Sequence, residues 1–558
     1  MENTFTGPLP IEVLIHQAQK RPNQSFLIQN TSTGQKIWTY KEVLDEVYRL
    51  ASFLQKQGLK PDDHVALYSK NCAEWIIADL AIWAAGCVSV PIYPNLTPQA
   101  AFEIIGHSDA RFILLGKLDR PSEPREENLK NAPPSLRIFE SKVKFDFVPD
   151  WKDIRIQFDA ATEKFIPVKR KISDLSTIVY TSGTTGQPKG AMHSFRSFVY
   201  PGRMIPDFLK FNSNDRFFSF LPLAHVAERF IVETLALYSG ATITFAESLE
   251  TFAKNLRDCR PTVFMAVPRI WAKLHDGLAK KIGEEKLEKI LSIPVLRVFA
   301  RKFFLRALGL DATRVPISGA SPIDPKLLQK IKNLGIPIME GYGLTENLAY
   351  SHFNPLKKSK AGTVGTPLPG VSCALSASSE VLIKSPTNML GFYKNSEETQ
   401  KSFEGEYLKT GDTGEIDSEG YLKIVGRLKD LFKTSKGKYV APGPIELKLF
   451  AMQFFDQVCV MGSGLAQPLA VCVLNPTLLK SLNSPALKAE LTTQFRSLNR
   501  GLEAHEKISK IVVLSQESWS VENGLLTPTM KVKRSVVERH YSSRIESWVS
   551  ESEIILTI

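Results

Sequence analysis

The chain has 558 residues, of which 43% are hydrophobic and 23% charged. This balance excludes a disordered chain, a collagen and a small protein held together by disulfides. At about one domain per 150 residues, the length predicts roughly three or four structural units and leaves room for a large enzyme. Lys and Arg number 70 against 58 Asp and Glu, and the net charge of +12 is compatible with anionic substrates or a membrane surface. No nucleic-acid reader motif is visible, so nucleic-acid binding is not expected.

The cysteines and the apolar stretches predict the cellular setting. Six cysteines lack a CxxC pair and zinc-like spacing, so we expect buried free thiols in a reducing compartment. The first residues show no basic segment followed by an apolar one, so no secretory signal is expected and the cytoplasm is the default location. Residues 80–93 are the most apolar stretch, but a membrane span needs roughly 20 residues. They predict a core helix that runs into a strand.

Short β-branched or aromatic runs alternate with helical patterns, which predicts stacked βαβ units with parallel sheets. The predicted strands are residues 64–69, 88–93, 112–115, 177–180, 217–221, 241–245, 262–267, 315–318 and 336–339. Several of them end in clusters of Gly, Ser, Thr or Pro. Because α/β sheets place ligand sites beyond the carboxyl ends of their strands, we expect the site on the loops after these strands.

The composition changes near residues 411–438, where turn formers and charges surround one short apolar run. This pattern predicts a hairpin followed by a linker. The residues beyond it carry strand candidates of their own at 457–461, 470–474 and 510–514, together with helical patterns. We therefore predict an N-terminal domain over residues 1–428 and a small C-terminal α+β domain over residues 429–558.

A loop rich in glycine and hydroxyl side chains follows the strand predicted at 177–180. Its glycines allow backbone N–H groups to approach an anion, and its hydroxyls add further donors. It is not a Walker A sequence, because Pro188 precedes the lysine and no Ser or Thr follows it. The pattern predicts a phosphate-binding loop, and a flexible linker is the alternative. The candidate ligands are Thr181, Ser182, Gly183, Thr184, Thr185, Gly186 and Lys189.

This loop resembles the signature of the adenylate-forming superfamily, which contains acyl-CoA synthetases, peptide-synthetase adenylation domains and luciferases. The sequence MEGYGLTE, which ends at Glu346, resembles the second motif of that family and also contains Gly343. The resemblance implies that Tyr342 stacks on adenine, that Thr345 touches the α-phosphate and that Glu346 holds Mg²⁺. A carboxylate beside a strand-end glycine turn suits Mg²⁺ on chemical grounds as well. For Glu346 alone, a solvated acid at a helix start is the alternative.

Two later motifs extend the resemblance toward the end of the chain. Asp412 resembles the acceptor of the ribose hydroxyls, Arg427 resembles the arginine that also meets the ribose, and Lys429 falls at the hinge position of the family. In the sequence LTPTMKVKR, Lys531 matches the lysine that bridges the substrate carboxylate and the α-phosphate during adenylation. Without the resemblance, Asp412 is typical of a turn and the cations around Lys531 are typical of a solvated face.

Two further segments, residues 221–229 and 261–271, resemble long-chain acyl-CoA synthetases rather than activators of acetate, aryl acids or amino acids. In those relatives His225 would lie beside the acyl carboxylate, and a hydrogen-bonded structural histidine is the alternative. Gly319 and Ala320 resemble the loop on the adenine side. That loop departs from the commoner Gly-Gly-Ala form.

The resemblance implies a large N-terminal α/β domain of stacked βαβ layers and a small mobile C-terminal α+β domain. It also implies an acid–thiol ligase that uses ATP, Mg²⁺ and CoA to convert a long-chain fatty acid to acyl-AMP and then to acyl-CoA. A ligase that loads a carrier protein and a non-catalytic lipid or nucleotide binder of the same fold remain as alternatives. The joint presence of Lys189, Glu346, Asp412 and Lys531 argues against the binder.

Residues 294–308 intersperse four cations with Val, Leu and Phe. This pattern is compatible with a basic amphipathic helix that makes peripheral contact with anionic lipid, where a long-chain acid would partition. A surface helix packed on the domain is the alternative.

Overall fold

The computed structural model of the chain describes residues 5–118, 137–138, 165–182, 188–481 and 484–558. The described strands, in chain order, are β1 (Ser25–Thr31), β2 (Gly34–Thr39), β3 (His64–Tyr68), β4 (Val88–Ile92), β5 (Phe112–Leu115), β6 (Arg137–Ile138), β7 (Leu175–Ser182), β8 (Pro188–Ser194), β9 (Arg216–Ser219), β10 (Thr242–Phe245), β11 (Val263–Ala266), β12 (Val315–Ser318), β13 (Met339–Tyr342), β14 (His352–Phe353), β15 (Thr366–Pro367), β16 (Ser372–Leu375), β17 (Glu380–Lys384), β18 (Gly391–Phe392), β19 (Phe403–Glu404), β20 (Tyr407–Ile416), β21 (Leu422–Arg427), β22 (Phe432–Lys433), β23 (Tyr439–Val440), β24 (Phe455–Met461), β25 (Leu469–Leu474), β26 (Lys510–Leu514) and β27 (Ile555–Thr557).

The described α-helices are α1 (Pro10–Lys20), α2 (Tyr40–Lys56), α3 (Ala73–Ala84), α4 (Pro98–His107), α5 (Arg196–Leu209), α6 (Val226–Glu228), α7 (Leu235–Ser239), α8 (Phe252–Cys259), α9 (Pro268–Ile282), α10 (Glu284–Ser292), α11 (Pro294–Leu308), α12 (Pro325–Asn333), α13 (Ser396–Lys401), α14 (Pro442–Phe450), α15 (Pro485–Arg500) and α16 (Arg534–Ser550). One π-helical turn, Arg229–Thr234, joins α6 to α7. Short 3₁₀ turns cover Thr345–Asn347, Leu356–Lys358, Leu428–Asp430 and Pro476–Ser481.

Two large sheets form the framework of the N-terminal part. Among the described strands, one sheet has the order β15-β14-β13-β12-β11-β9-β10-β1-β2 and the other the order β18-β8-β7-β4-β3-β5-β6. The pairs from β13 through β12, β11, β9 and β10 to β1 are parallel, as are β7–β4–β3–β5. The predicted α/β class with parallel sheets is confirmed.

Most strands lie where the sequence predicts them, with one exception. Residues 336–339 were predicted to form a strand, but β13 begins at Met339 and continues to Tyr342. Pro337 lies inside the predicted segment, and a proline has no backbone N–H to donate to a neighbouring strand. The ladder therefore starts only after the proline, and it carries the strand into the glycine turn of the second motif.

Helix α3 and strand β4 confirm the core helix and strand predicted from residues 80–93. Every residue of α3 except Glu74 is buried, because the helix packs into the main hydrophobic core rather than at its edge. Such a helix is apolar all round, which is why the sequence shows no amphipathic period there. Its single buried acid, Asp79, therefore needs a partner inside the core.

That partner is Arg229, which begins the π-helical turn and is fully buried. Its guanidinium contacts Asp79 and Glu233, and its Nη1 donates to Thr177 Oγ1 at 2.9 Å. Ser89 donates its hydroxyl hydrogen to Asp79. Burial and the charge of Asp79 raise the pKa of Glu233 well above its usual range, so Glu233 is neutral. The cluster is thus one buried ion pair that ties α3, β4 and β7 to the turn after α6.

The last part of the chain forms a sheet of its own. Its strand order is β24-β25-β26-β27, with β24–β25 antiparallel and the other pairs parallel. Two hydrophobic clusters on its two sides consist only of residues from Phe432 onward. Strands β20 and β21 form the predicted hairpin before it.

All six cysteines are free thiols, and five of them are buried. Within the described ranges, no helix has the length and apolarity required to cross a lipid bilayer.

We expect Arg229→Met to destabilise the N-terminal part by about 3–5 kcal/mol, because it removes the cation that the buried Asp79 contacts in the core. The measurement is the urea midpoint followed by circular dichroism. The matched control is Lys401→Met, which removes an exposed ion pair with Glu397 and should cost less than about 0.5 kcal/mol. Equal losses in the two variants would contradict a special role for the buried pair.

Candidate active site

The predicted phosphate-binding loop is the tip of the β7–β8 hairpin, in which Thr181 pairs with Lys189. Gly183, Thr184, Thr185 and Gly186 lie outside the described residues, as does the side chain of Ser182. The hairpin fixes where the loop leaves and re-enters the sheet, at the carboxyl end of β7.

Lys189 forms an ion pair with Glu398, the third residue of α13. The Lys189 ammonium also lies 5.7 Å from the centre of the Phe392 ring. The hydrogen bond from Lys189 lowers the pKa of Glu398, so the acid is ionised at neutral pH. The cation predicted to meet phosphate is therefore already neutralised by a carboxylate of the protein.

His193 forms a hydrogen bond with the turn that carries Thr345 and Glu346. This histidine is fully buried, and burial lowers its pKa to about 4, so the ring is neutral. Its Nε2 lies 2.8 Å from the carbonyl oxygen of Thr345, which requires Nε2 to carry the proton. The Met389 N–H donates to the carbonyl oxygen of Glu346 at 2.7 Å. Two donors thus fix the backbone of the turn.

Glycine is required at position 343 because a side chain there would collide with the backbone. A Cβ on Gly343 would lie 2.5 Å from the carbonyl carbon of Ala349. At position 320 the chain carries alanine although the backbone there would suit glycine. Ala320 has a left-handed φ of +65°, which glycine adopts without cost. A Cβ on its neighbour Gly319 would lie 3.2 Å from the carbonyl oxygen of Gly341. The departure from Gly-Gly-Ala lies at Ser318, the last residue of β12, while the left-handed residue is Ala320, which matches the motif.

Glu346 is half-buried, and burial raises the pKa of its carboxyl group, while the positive charges of Arg427 and Lys189 oppose the shift. Its carboxylate oxygens are ligands that Mg²⁺ accepts. In the described part of the chain, no group of three or more His, Cys, Asp or Glu side chains is placed to hold a metal. A metal at Glu346 would therefore need further ligands from a bound substrate, as Mg²⁺ on polyphosphates does.

Tyr342, Asp412 and Arg427 form one hydrogen-bonded group. The Tyr342 hydroxyl donates to Asp412 Oδ2 at 2.7 Å, and Arg427 Nε lies 2.9 Å from Asp412 Oδ1. Asp412 and Arg427 face each other in register across β20 and β21, which explains why two residues 15 apart in sequence meet. Asp412 is buried while the Arg427 side chain is half exposed, so the group presents a cation to the cleft.

His225 precedes α6 and caps it, because its Nδ1 accepts a hydrogen bond from the Ala227 N–H at 3.1 Å. Burial, together with the charge of Lys531, lowers the pKa of His225 to about 4. The ring is neutral at pH 7, and with Nδ1 as an acceptor its proton lies on Nε2. The structural role that the sequence left open is thus present, and Nε2–H remains as a donor.

Lys531 lies within the same electrostatic neighbourhood as His225, Asp412 and Arg427. Lys531 is exposed, yet the surrounding protein and the Arg427 charge lower its pKa to about 8, with Asp412 opposing the shift. Electrostatic interactions thus connect residues of five separate motifs, because Lys531 acts on His225 while Arg427 and Lys189 act on Glu346. Lys429 lies in the 3₁₀ turn Leu428–Asp430 and contributes to the low pKa of Glu398.

The sequence matches the family described as AMP-binding enzyme over residues 14–393, more than half of the chain. The chain belongs to the AMP-binding enzymes. A second match, described as AMP-binding enzyme C-terminal domain, covers residues 429–553. The resemblance to the adenylate-forming superfamily drawn from the motifs is thereby confirmed.

Two curated relatives are similar over nearly their full length. "Long-chain-fatty-acid--CoA ligase FadD15" of Mycobacterium bovis is 30% identical, with 92% of each chain covered. "Long chain acyl-CoA synthetase 5" of Arabidopsis thaliana is 29% identical, with 98% of this chain and 93% of the relative covered. Among solved structures, the Bacillus subtilis O-succinylbenzoate Coenzyme A synthetase in complex with ATP and magnesium ion matches with a TM-score of 0.72 and 21% identity, over 94% of this chain and 98% of that one. The last match supports the fold alone.

Sequence reasoning missed two residues that the geometry places at the site. Glu398 pairs with Lys189 from 209 positions away, and no local pattern marks it. His193 follows the phosphate-binding motif by only four residues, so its position beside that motif was an available signal. Both act on residues that the motifs did identify.

The pKa of Lys531 predicts a pH limit on activity. The ammonium is present below pH 8 and is lost above it, so a step that needs its positive charge slows as the pH rises. We expect kcat/KM for pyrophosphate release to fall about tenfold per pH unit above roughly pH 8, since this constant reports the free enzyme. The Lys531→Gln variant should be slower and lack this limb. A wild-type profile that stays flat to pH 10 would refute the assignment.

Proposed function

We propose that the protein is a long-chain-fatty-acid–CoA ligase. It converts a fatty acid and MgATP to acyl-AMP and pyrophosphate, and then transfers the acyl group to the thiol of CoA with release of AMP. The observation that carries the proposal is that Lys531 interacts electrostatically both with His225 and with the hydrogen-bonded Tyr342–Asp412–Arg427 group. The names of the curated relatives support the choice of acid and of acceptor.

In the first step, a carboxylate oxygen of the fatty acid attacks the α-phosphorus and the bond to pyrophosphate breaks. Negative charge develops on the reacting oxygens of the carboxylate and the α-phosphate, and a fixed cation that bridges them stabilises that charge. We assign this role to Lys531, whose ammonium is held near Arg427 and Asp412. His225 Nε2–H is suited to hold the fatty acid carboxylate by donating to the oxygen that does not react.

The remaining residues position ATP. Tyr342 is assigned to the adenine, with Gly319, Ala320 and Gly343 shaping the backbone around it, while Asp412 and Arg427 are assigned to the ribose. The loop from Thr181 to Lys189 and the Thr345 hydroxyl are assigned to the phosphates. Glu346 is the residue that would hold Mg²⁺, which when bound supplies positive charge to the phosphate oxygens. In all of this the protein contributes position and charge rather than a covalent nucleophile.

The second step needs a route for the CoA thiol to the acyl carbonyl carbon. We propose that residues 429–558 rotate as a unit about Lys429 and withdraw Lys531 after adenylation. The separate sheet and hydrophobic clusters of this segment support the division into domains 1–428 and 429–558. Lys429 lies in the short 3₁₀ turn Leu428–Asp430, none of whose residues is buried.

The test of the function is pyrophosphate release from purified protein with MgATP and fatty acids of increasing length, with and without CoA. We expect stoichiometric release without CoA and sustained turnover with it, strongest for long chains. Lys531→Ala should slow the first step and spare thioester formation from added acyl-adenylate. A burst that CoA cannot extend would favour loading of a carrier protein, and silence with every acid would refute the proposal.

We further propose that the protein rests on anionic membranes through α11. The helix carries Arg297, Arg301, Lys302 and Arg306 and no acid. Val295, Phe299 and Phe303, spaced by four residues on one face, are 68%, 72% and 70% exposed. Another face of the helix, with Ala300, Phe304, Leu305 and Leu308, packs against the domain, so these three apolar side chains are surplus to that packing. Cations beside exposed apolar side chains match a bilayer with anionic headgroups, which also holds the long-chain acid.

The membrane proposal is tested by sedimentation with two kinds of vesicle. One contains phosphatidylcholine alone, and the other contains about a third phosphatidylglycerol, whose negative charge attracts the cations of α11. We expect binding to the anionic vesicles that salt weakens and that Phe299→Ser with Phe303→Ser abolishes. Leu249→Ser is the matched control, since Leu249 is 84% exposed but lies outside α11. If the double variant instead converts a dimer to a monomer in light scattering, without any lipid, the surface is a contact between copies and the membrane proposal is wrong.

A further inference from the structure

Helix α9 meets the C-terminal segment at two points on one face. Arg269 and Asp276 lie seven residues apart, two helical turns, and so project from the same side. The Arg269 guanidinium forms an ion pair with Asp456 at the start of β24. Gln453 Nε2, in the turn before β24, donates to the two carboxylate oxygens of Asp276 at 3.2 and 3.3 Å. The cation Arg269 on α9 thus contacts the anion Asp456, and the acceptor Asp276 on α9 contacts the donor Gln453.

The turn that supplies Gln453 is itself held in an unusual conformation. Gln453 has a left-handed φ of +63°, which side chains other than glycine adopt at an energetic cost. Such a cost persists only where surrounding contacts outweigh it. The bonds from this turn to α9 are contacts of that kind.

A third contact lies beside the catalytic lysine. Asn95 Nδ2 donates to the carbonyl oxygen of Pro528 at 2.6 Å. The turn from Thr527 to Lys531 is closed on itself, because the Thr527 N–H donates to the Lys531 carbonyl at 2.7 Å and the Lys531 N–H donates to Thr527 Oγ1 at 3.0 Å. Holding Pro528 therefore also fixes the backbone of Lys531.

We propose that Asn95, Arg269 and Asp276 are positioning residues that latch the C-terminal domain with Lys531 in the cleft. The latch comprises these three residues and their partners Pro528, Asp456 and Gln453. It rests on the proposed function, in which Lys531 serves the first step and leaves for the second. Formation of the latch favours adenylation, and its release precedes transfer to the thiol.

The strength of the contacts suits a latch that has to open. The Arg269 side chain is 47% exposed, and an exposed ion pair contributes little and is weakened by salt. Each point alone is therefore easily broken, while three points spaced across the domain define one orientation. A buried pair of the Arg229 kind would hold the domain permanently.

The test separates the two half-reactions in charge-swap variants. We expect Arg269→Asp to slow single-turnover pyrophosphate release about fivefold, the factor that roughly 1 kcal/mol produces. Thioester formation from added acyl-adenylate and CoA should keep its wild-type rate or rise. Combining Arg269→Asp with Asp456→Arg should restore the first step. Asn95→Ala should reproduce the split without any change of charge.

The matched control is Lys330→Glu, which breaks an ion pair with Glu284 inside the N-terminal part and should alter neither half-reaction. An equal loss in both half-reactions, no loss in either, or no recovery in the double swap would overturn the latch. Hydrogen exchange of the free protein gives a readout without substrates: Arg269→Asp should speed exchange in residues 451–456 and 527–531. If the wild type activates no acid, the proposed function fails, and hydrogen exchange alone then decides the latch.

Discussion

The buried Arg229–Asp79 pair is the constraint on which the arrangement of the cleft depends. Arg229 follows His225 by four residues, and its guanidinium donates to Thr177, which lies four residues before Thr181 on β7. One side chain therefore relates the histidine assigned to the fatty acid to the hairpin that carries the phosphate loop. Regular backbone in a close-packed core connects Arg229 to His225 and Thr177 to Thr181. The positions of these residues are therefore coupled to one another. The raised pKa of Glu233 lets the cluster bury one ion pair without an additional negative charge.

Burial and charge act in the same direction on the two titrating groups nearest to the reaction. Dense protein disfavours the charged forms of Lys531 and His225. The charge of Lys531 further lowers the pKa of His225, and the charge of Arg427 further lowers the pKa of Lys531. The result is a neutral imidazole that donates through Nε2 and a Lys531 ammonium that is present at neutral pH but has a pKa only slightly higher, at about 8. An arriving carboxylate and polyphosphate supply the negative charge that this pair of groups lacks. The site is thus arranged for anions before any substrate is present.

Local patterns predicted what depends on neighbouring residues. The β20–β21 hairpin, the helix α11 and the strand β7 with its glycine-rich loop all follow from short-range patterning, and Asp412 and Arg427 were identified by motif. The start of β13 was missed because Pro337 blocks the ladder. Glu398 and Asn95 could not be predicted, since their contacts span 209 and 433 positions of sequence and depend on how whole layers pack. Such long-range contacts form only in the complete fold, so local sequence patterns do not predict them.

The ion pair between Lys189 and Glu398 has a consequence for which anions the cleft admits. An incoming phosphate has to replace a carboxylate that is tethered to the same protein and so is present at high effective concentration. A singly charged anion gains nothing by the exchange, because it offers the ammonium no more charge than Glu398 already does. A chain of phosphates brings several negative charges and further acceptor oxygens at once, and it can displace the acid. Under the proposed function, ATP therefore has to displace Glu398 from Lys189 before its phosphates can contact that ammonium.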